Sequence, residues 1–263
     1  TLFRSINKLD LIASISNEDN LVFKGASCPV PMVYIPFGIN FNDNEFKNYA
    51  PPEPDELVLF HIGSMDWIPH QEAFKWFLEK VWINLNKKHT DLKLHLAGSK
   101  MPQWLTKGKY PNVIVTDGYV ESKTFMNKKA IMVVPSFSGS GIRVKIAEGM
   151  AKGKVIITTQ NGAMGIPCTH NENIFISDNN EEWIAIISKC INDKELIKKI
   201  SKISEITCFF SNVLIQILFT LLNSLKPLRW LVSINREVVG QLIVAELKGS
   251  FVFNFWPRLQ ASN

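Results

Sequence analysis

The chain has 263 residues, 46% of them hydrophobic, and a formal net charge of +5 at pH 7. This length can bury the core of one large domain or of a domain and a half. The lysines are spread along the chain without a dense basic tract, which argues against a nucleic-acid-binding protein. The mild positive excess suits an anionic small molecule, a membrane surface or simple solubility. The four cysteines are far apart in the sequence and none forms a metal-type pair, so we expect reduced thiols in a cytoplasmic protein.

The N-terminal part carries signals for a strand, a helix and a second strand. The chain enters directly at Thr1 into "SINKLDLIASIS" with no signal-peptide pattern, and we expect it to be part of something larger. The apolar run 9–16 predicts a buried strand, and "SNEDN" after it supplies a helix cap and acidic residues for a first turn. The run 32–40 predicts another strand. The segment 48–56, rich in proline and acid, can continue neither helix nor sheet and predicts a linker.

From Leu57 onward, strand-like apolar runs alternate with helical patterns. In the helical segment 71–85, Ala73, Phe77 and Val81 fall on one face together with Trp76. The predicted strands are 57–63, 92–98, 112–118, 130–135, 154–159 and 172–177. The predicted helices are 71–85, 121–129, 142–153, 180–190 and 193–203. This alternation predicts an α/β fold with a parallel sheet covered by helices on both faces.

Glycines and isolated polar residues cluster where the predicted strands end. In parallel sheets of this kind, ligands bind at the carboxyl ends of the strands, so these loops are the first place to look for a site. The pairs and triplets in question are Gly63–Ser64, Gly98–Ser99, Gly118–Tyr119 and Gly139–Ser140–Gly141.

The loop Gly139–Gly141 lies between a predicted strand and a helix that begins near Ile142. Glycines let the backbone approach a ligand closely, and the first N–H groups of a helix favour an anion. Arg143 and Lys145 add donors suited to phosphate oxygens, and Glu148 lies two turns into the helix, in reach of a ribose. The alternative is a flexible turn with solvated basic residues and a surface acid. The local spacing by itself favours neither interpretation.

Two further loops are weaker candidates. In "GSMDWIPH" (63–70) we expect Trp67 to pack on the following helix and Asp66 to cap a turn, with ligand contact as the alternative. In "NGAMGI" (161–166) the glycines allow either a backbone path beside a ligand or a simple loop. The five histidines show no metal-ligand spacing, and His61 and His95 are expected inside strands as core or sheet-face residues.

These pieces, in this order, resemble the nucleotide-sugar-binding, C-terminal half of GT-B glycosyltransferases. They are most similar to the family 4-like (group 1) bacterial enzymes that build surface polysaccharides. The resemblance covers roughly residues 9 to 205, and its most specific part is "VVPSFSGSGIRVKIAEGMAKGKVIITT". Supporting stretches are "FHIGSMDWIPHQEAFKWFLEKVW", "LHLAGSKMP", "VIVTDGYVES" and "NGAMGI".

The resemblance implies a Rossmann-like doubly wound sheet and transfer of a sugar from a nucleotide-sugar to an acceptor, without a metal or other cofactor. Arg143 and Lys145 would stabilise the leaving diphosphate, which is electrostatic catalysis. Glu148 matches the family's ribose-binding glutamate, and Tyr119 and Val120 would lie beside the base. The residues that the resemblance assigns to donor binding are Gly63, Ser64, Asp66, Gly98, Tyr119, Val120, Gly139, Ser140, Gly141, Ile142 and Glu148.

The sequence also departs from the family pattern. Ser140 stands where many relatives carry a first acid, and Gly149 stands where alanine is usual. The resemblance divides the chain into a remnant of an N-terminal acceptor domain with its linker (1–50), a nucleotide-sugar-binding domain (51–205) and a C-terminal helix with an unassigned, atypical tail (206–263). The expected partners are therefore a nucleotide-sugar, a glycan or lipid-linked acceptor, and the missing N-terminal domain.

The apolar segment 206–225 favours a buried or crossover helix over a membrane-spanning one, because Asn212 and Gln216 interrupt it. We expect a cytoplasmic protein, with peripheral contact at the inner face of the plasma membrane as an option. Two alternatives to an active glycosyltransferase are an inactive, truncated nucleotide- or partner-binding fragment and a nucleotide-sugar epimerase. The epimerase would need a catalytic set of acids and a histidine, which the sequence does not display.

Overall fold

The computed structural model describes residues 10–14, 17–25, 27–34, 58–108, 110–127, 129–139, 141–224, 230–233 and 244–245. Several of the sequence predictions lie wholly or partly outside these residues: the linker at 48–56, Ser140 in the glycine loop, the ends of the predicted strand 9–16, residues 35–40 of the predicted strand 32–40, and most of the tail after 224.

The described strands and helices follow the predicted order closely. The strands are β1 (Leu11–Ser14), β2 (Met32–Tyr34), β3 (Val58–Ile62), β4 (Lys93–Gly98), β5 (Val113–Asp117), β6 (Ile131–Val134), β7 (Val155–Thr158), β8 (Phe175–Ile176), β9 (Trp230–Ser233) and β10 (Val244–Ala245). The helices are α1 (Asn17–Gly25), α2 (Ile68–Trp76), α3 (Ile83–Lys88), α4 (Gln103–Thr106), α5 (Ser122–Met126), α6 (Val144–Ala151), α7 (Gln160–Ala163), α8 (Asn180–Asn192) and α9 (Lys194–Ser224). A π-helical stretch (Phe77–Trp82) joins α2 to α3 without a break.

The main sheet has six parallel strands in the order β5-β4-β3-β6-β7-β8. The predicted Rossmann-like doubly wound sheet is therefore confirmed. The chain builds outward from β3 in one direction and then, through β6, in the other. The order thus reverses between β3 and β6, and the loops that leave these two neighbours diverge to form a crevice.

The two faces of the sheet bury two separate cores, because side chains alternate along each strand. On β6, Ile131 and Val133 join the core beneath α2, the π-helical stretch and α8. Met132 and Val134 join the opposite core, beneath α6. Since every residue of β6 is buried, the strand has no solvent-facing side, as expected for a parallel sheet covered on both faces.

A smaller sheet contains the N-terminal strands in the order β10-β9-β1-β2. β1 pairs in parallel with β2 on one side and with β9 on the other, in the register Leu11 opposite Trp230. The two short strands β9 and β10 belong to the segment that the sequence left unassigned.

The helix prediction was wrong at the C-terminal side of the chain. In place of one helix at 193–203 and another at 206–225, the structure has the single helix α9. The physical reason is that the segment between Lys194 and Ser224 contains neither glycine nor proline, so nothing in it ends a helix. Within the described residues, no helix is both long and apolar enough to span a membrane.

Candidate functional site

The loops that follow β3, β4, β6 and β7 meet at the carboxyl edge of the main sheet. Where β3 and β6 lie side by side, they leave a small cleft in front of the switch point of the sheet. Its walls include His61, His70, Phe74, Ser136, Arg143 and Lys145. This is the position at which doubly wound sheets bind their ligands.

Arg143 holds the glycine loop in one shape. Its guanidinium group donates to three carbonyls of that loop: Nη1 to the Gly141 carbonyl at 2.9 Å, and Nη2 to the carbonyls of Ser138 at 2.8 Å and Gly139 at 3.0 Å. The side chain is 9% exposed, so these bonds are formed away from bulk water. A planar group with five donors can bind several carbonyls at once, which a lysine ammonium cannot do. Arg143 therefore fixes the backbone of the glycine loop.

A second set of bonds ties the same loop to the end of β7. The Asn161 side chain accepts from Arg143 Nη2 at 2.9 Å and donates from Nδ2 to the Gly139 carbonyl at 3.1 Å. The Thr159 hydroxyl donates to the Ser136 carbonyl and accepts from the Ser136 N–H at 3.3 Å. From the sequence, the loop that contains Asn161 was a candidate, but neither Asn161 itself nor Thr159 was predicted. Their position directly after a strand that neighbours β6 was the available signal.

Trp67 covers the glycine loop from the β3 side. A Cβ added at Gly139 would lie 2.7 Å from Trp67 Cη2 and 2.8 Å from Arg143 Nη2. Gly139 also has a φ of +98°, a conformation that side chains rarely adopt. The loop is thus enclosed between an indole ring and a guanidinium group. Trp67 also packs edge-on against His70 of α2, with ring centroids 5.0 Å apart, as expected for a residue that contacts the following helix.

The loop after β3 is stabilised by its own side chains. Ser64 Oγ donates to Asp66 Oδ1 at 3.0 Å, and Lys100 Nζ lies 3.4 Å from Asp66 Oδ2. Behind this turn the backbones of two strand ends are in close contact, since a Cβ at Gly98 would lie 2.0 Å from the Gly63 carbonyl oxygen. Asp66 therefore organises a turn, as the sequence suggested.

Lys145 reaches from α6 to the carboxyl end of β3. Its Nζ lies 3.5 Å from His61 Nε2, and a Cβ at Gly63 would come within 2.4 Å of the same Nζ, so glycine at that position leaves room for the ammonium. Burial, together with the nearby positive charge of Arg143, lowers the pKa of Lys145 to about 8. The ammonium is thus held in a poorly hydrated place where a phosphate anion would be a favourable partner.

Two neutral histidines flank this lysine. Burial and the charge of Lys145 lower the pKa of His61 well below its usual value. For the same two reasons, in the same order, the pKa of His70 is lowered to about 4. Both rings are therefore uncharged at neutral pH, and the positive charge of the cleft comes from Lys145 and Arg143.

Glu148 lies further along α6 and faces the start of α5. Its Oε1 accepts from Ser122 Oγ at 2.9 Å and from Lys152 Nζ at 3.2 Å, and the lysine also donates to Ser122 Oγ at 3.1 Å. Three residues before Ser122 in the chain, Tyr119 is 94% exposed, while Val120 is half-buried. The proposed ribose-binding acid and the proposed base-side loop are thus connected through Ser122.

The structure groups the predicted site residues into three clusters. The first cluster is the loop after β3, with Gly63, Ser64 and Asp66, and with Gly98 packed behind them. The second is the loop after β6 and the start of α6, with Gly139, Gly141, Arg143 and Lys145; of these, Arg143 and Lys145 line the cleft, and Ile142 is half-buried against the core beneath α6. The third cluster is Glu148 with the loop of Tyr119 and Val120. Within the part of the chain that the structure describes, no three His, Cys, Asp or Glu side chains are grouped so that they could hold a metal ion.

Comparison with known families identifies the class of protein that this fold and cleft define. Residues 56–193, more than half of the chain, match the sequence model of the family described as "Glycosyl transferases group 1". The chain belongs to this family, and the resemblance inferred from its motifs is confirmed.

One curated relative is an uncharacterized 44.6 kDa protein in the cps region of Klebsiella pneumoniae. It is 24% identical over 130 residues, which are 46% of this chain and 33% of the relative. The chain therefore aligns with about a third of the length of the curated relative it matches.

Solved structures share the fold at low identity. A glycosyltransferase from Rickettsia africae superposes with a TM-score of 0.64 and 16% identity, over 81% of this chain and 62% of that one. S. aureus TarM, as a mutant crystallised with Fondaparinux, alpha-GlcNAc-glycerol and UDP, superposes with a TM-score of 0.66 and 15% identity, over 84% of this chain and 45% of that one. Anabaena HepE in complex with UDP-glucose superposes with a TM-score of 0.58 and 16% identity, over 82% of this chain and 64% of that one. The chain thus spans between about half and two thirds of these structures.

Proposed function

We propose that this chain binds the donor of a glycosyltransferase, a nucleotide-sugar, in the cleft between β3 and β6. The observation that carries the proposal is the glycine loop after β6. It is held in a fixed shape by Arg143, it leads into the start of α6, and the Lys145 ammonium lines the same cleft beside His61. Backbone N–H groups at a helix start, together with a poorly hydrated cation, suit the diphosphate of such a donor.

Within this proposal, Lys145 and the N-terminal end of α6 stabilise the negative charge that develops on the leaving diphosphate. Preorganised charge of this kind lowers the barrier because no reorganisation is needed at the moment of reaction. We propose that this neutralisation needs no metal ion, in keeping with the family resemblance. The expected result is that a chelator such as EDTA leaves nucleotide binding unchanged; a loss of binding that added Mg²⁺ restores would contradict it.

We assign the ribose to Glu148 and the base to the loop of Tyr119 and Val120. A carboxylate accepts from both hydroxyls of a ribose, and Glu148 is presented toward α5 by its bonds to Ser122 and Lys152. The exposed ring of Tyr119 offers a surface on which a base could stack.

We further propose a role in cell-surface polysaccharide synthesis, with a glycan or lipid-linked acceptor. The support is the location of the Klebsiella relative in a cps region and the presence of Fondaparinux and alpha-GlcNAc-glycerol in the TarM complex. Because the chain aligns with only part of these relatives, we propose that an N-terminal GT-B domain supplies the acceptor site. An acceptor of this class would place the protein in the cytoplasm, in contact with the inner face of the plasma membrane.

The decisive experiment is a thermal-shift titration of the chain with UDP, GDP, ADP and the corresponding nucleotide-sugars. A ligand at about 100 times its Kd stabilises the folded state by about 2.7 kcal/mol. For a protein of this size, that raises the Tm by roughly 5–10 °C. No shift with any of these compounds would overturn the proposal.

A second candidate function is nucleotide binding without turnover, and the partial coverage of the relatives favours it. The two candidates differ in what a separately expressed N-terminal domain does. If the chain is half of an active enzyme, the added domain should produce sugar transfer from the donor that gave the thermal shift. Binding that is never followed by transfer would favour the second candidate.

A further inference from the structure

His61 and Lys145 form a buried pair at the base of the cleft, although they are 84 positions apart in the sequence. His61 is 3% exposed and lies in β3, and its ring packs edge-on against Phe74 with centroids 4.3 Å apart. The proposed function uses the lysine but gives the histidine no task.

The hydrogen bonds of His61 define its tautomer. Nδ1 lies 2.8 Å from the Val133 carbonyl oxygen, which can only accept, so Nδ1 carries the proton. In a neutral ring the other nitrogen then has a lone pair, and this lone pair faces Lys145 Nζ at 3.5 Å. The ring is thus an acceptor of fixed position aimed at the ammonium.

We propose that His61 is a positioning residue that holds the Lys145 ammonium toward the diphosphate of the donor. The ring cannot rotate without losing its bond to Val133, so it directs Lys145 from a fixed point. This inference rests on the proposed function, because it assigns an orienting residue to the same site.

The other groups that face Lys145 are consistent with this role. Arg143, directly before α6, is positive, and His70 from α2 is neutral; the charge of Asp66, in the loop after β3, acts on His70. Among the described residues, no carboxylate lies within ion-pair distance of Lys145. Its orientation therefore depends on a neutral acceptor, and its charge remains available to an incoming anion.

A pH dependence follows from the lowered pKa of Lys145, about 8. An anion binds the protonated lysine better, so the affinity for a diphosphate should be level below about pH 8 and should fall as pH rises above it. A hydrogen bond to the ammonium favours the protonated form. Removing the acceptor should therefore move the onset of this fall to lower pH.

Two substitutions separate the acceptor from the rest of the ring. His61→Gln places an amide oxygen near the position of Nε2 and keeps an acceptor for the ammonium. His61→Asn keeps a donor near the position of Nδ1 for Val133 but has no atom near Nε2. We expect His61→Asn to weaken UDP and pyrophosphate binding about tenfold, which is about 1.4 kcal/mol. We expect His61→Gln to retain most of the wild-type affinity.

Binding is measured by calorimetry with UDP and with pyrophosphate, from about pH 6.5 to about pH 9.5, and the Tm of each variant checks its fold. A matched control repeats His61→Asn in a Lys145→Met background. If the histidine acts only through the lysine, adding His61→Asn to Lys145→Met causes no further loss of affinity.

The outcomes separate this inference from the function on which it rests. If the wild-type chain binds neither UDP nor pyrophosphate, the proposed function fails. If it binds them and His61→Asn matches the wild type in affinity and pH profile, the His61 inference alone is overturned. Should both variants fail to fold, ¹⁵N NMR of the wild-type histidines decides, since a proton on Nε2 of His61 would refute the inference.

Discussion

Replacing Arg143 by lysine separates two roles that this side chain could have in the cleft. If it acts mainly as a positive charge near a diphosphate, lysine should serve nearly as well. If it holds the glycine loop, lysine should fail, because one ammonium cannot reach the carbonyls of Ser138, Gly139 and Gly141 together. The geometry favours the second role.

The magnitude follows from the bonds that Arg143→Lys would break. Arg143 donates to three loop carbonyls, to Ser136 Oγ at 3.1 Å and to Asn161 Oδ1 at 2.9 Å. Hydrogen bonds to charged groups contribute about 1.5–3 kcal/mol each, but the loop can relax toward water and a lysine keeps one or two of them. We expect a net loss of about 2–4 kcal/mol in the free energy of unfolding.

The assay is urea unfolding of the ligand-free chain, followed by UDP titration at neutral pH. Arg143→Lys should lower the urea concentration at the unfolding midpoint. It should also lower the affinity for UDP, because the loop must then be ordered when the ligand binds. Lys75→Arg on α2 is a matched control for a basic substitution outside the network, and it should change neither quantity. An Arg143→Lys variant with wild-type stability and wild-type UDP affinity would refute the reasoning.

Three further predictions concern single side chains of the site. Gly139→Ala should lower the Tm and weaken the binding of pyrophosphate. The alanine Cβ would lie 2.7 Å from Trp67 Cη2, and the φ of +98° is strained for any residue other than glycine. An unchanged Tm would contradict the packing of Trp67 on the loop. Glu148→Gln should lower the affinity for UDP in calorimetry but leave the affinity for pyrophosphate unchanged. The control, Glu172→Gln at an exposed position, should change neither affinity. An equal loss for both ligands would show that Glu148 does not act on the ribose. Lys145→Met should raise the Tm at neutral pH, since it removes a poorly hydrated charge, while it weakens pyrophosphate binding strongly but measurably. The pKa of Lys145 is about 8 in the folded state and 10.5 in the unfolded state. The destabilisation that it causes is therefore complete below pH 8 and declines as the pH rises to 10.5. The rise of stability between about pH 8 and about pH 9 should therefore be smaller in Lys145→Met, where the remainder comes from Lys154 and Lys129, whose pKa burial also lowers. Above about pH 9 the thiols of Cys168, Cys190 and Cys208, whose pKa burial raises, act in the opposite direction. An unchanged rise would contradict the burial of Lys145.

Local sequence was sufficient to predict the strands of the main sheet. Runs such as "LKLHLAG" and "KVIITT" are apolar, β-branched or bounded by glycine, so their conformation hardly depends on distant residues. The same runs indicated the edge at which we propose that the donor binds, because the carboxyl ends of parallel strands face one way. The short helices α4 and α7 were missed, since four residues are too few to show a helical period.

The roles of individual side chains were less predictable, and Arg143 and His61 show why. From the sequence, Arg143 was expected to donate hydrogen bonds to phosphate oxygens. In the structure its guanidinium group donates to loop carbonyls. His61 was expected in the core, and it is buried, but the sequence could not indicate that its Nε2 faces Lys145.

By itself, the sequence determined the alternation of strands and helices and the family, and it indicated the loops in which we propose that a donor binds. Those properties depend on local periodicity and on contiguous motifs. The tertiary structure decided which of the basic residues stabilises the loop and which one presents its charge to the cleft. Hydrogen bonds depend on distances and angles between atoms, and for Lys145 and His61 those are set only when β3, β6 and α6 pack together.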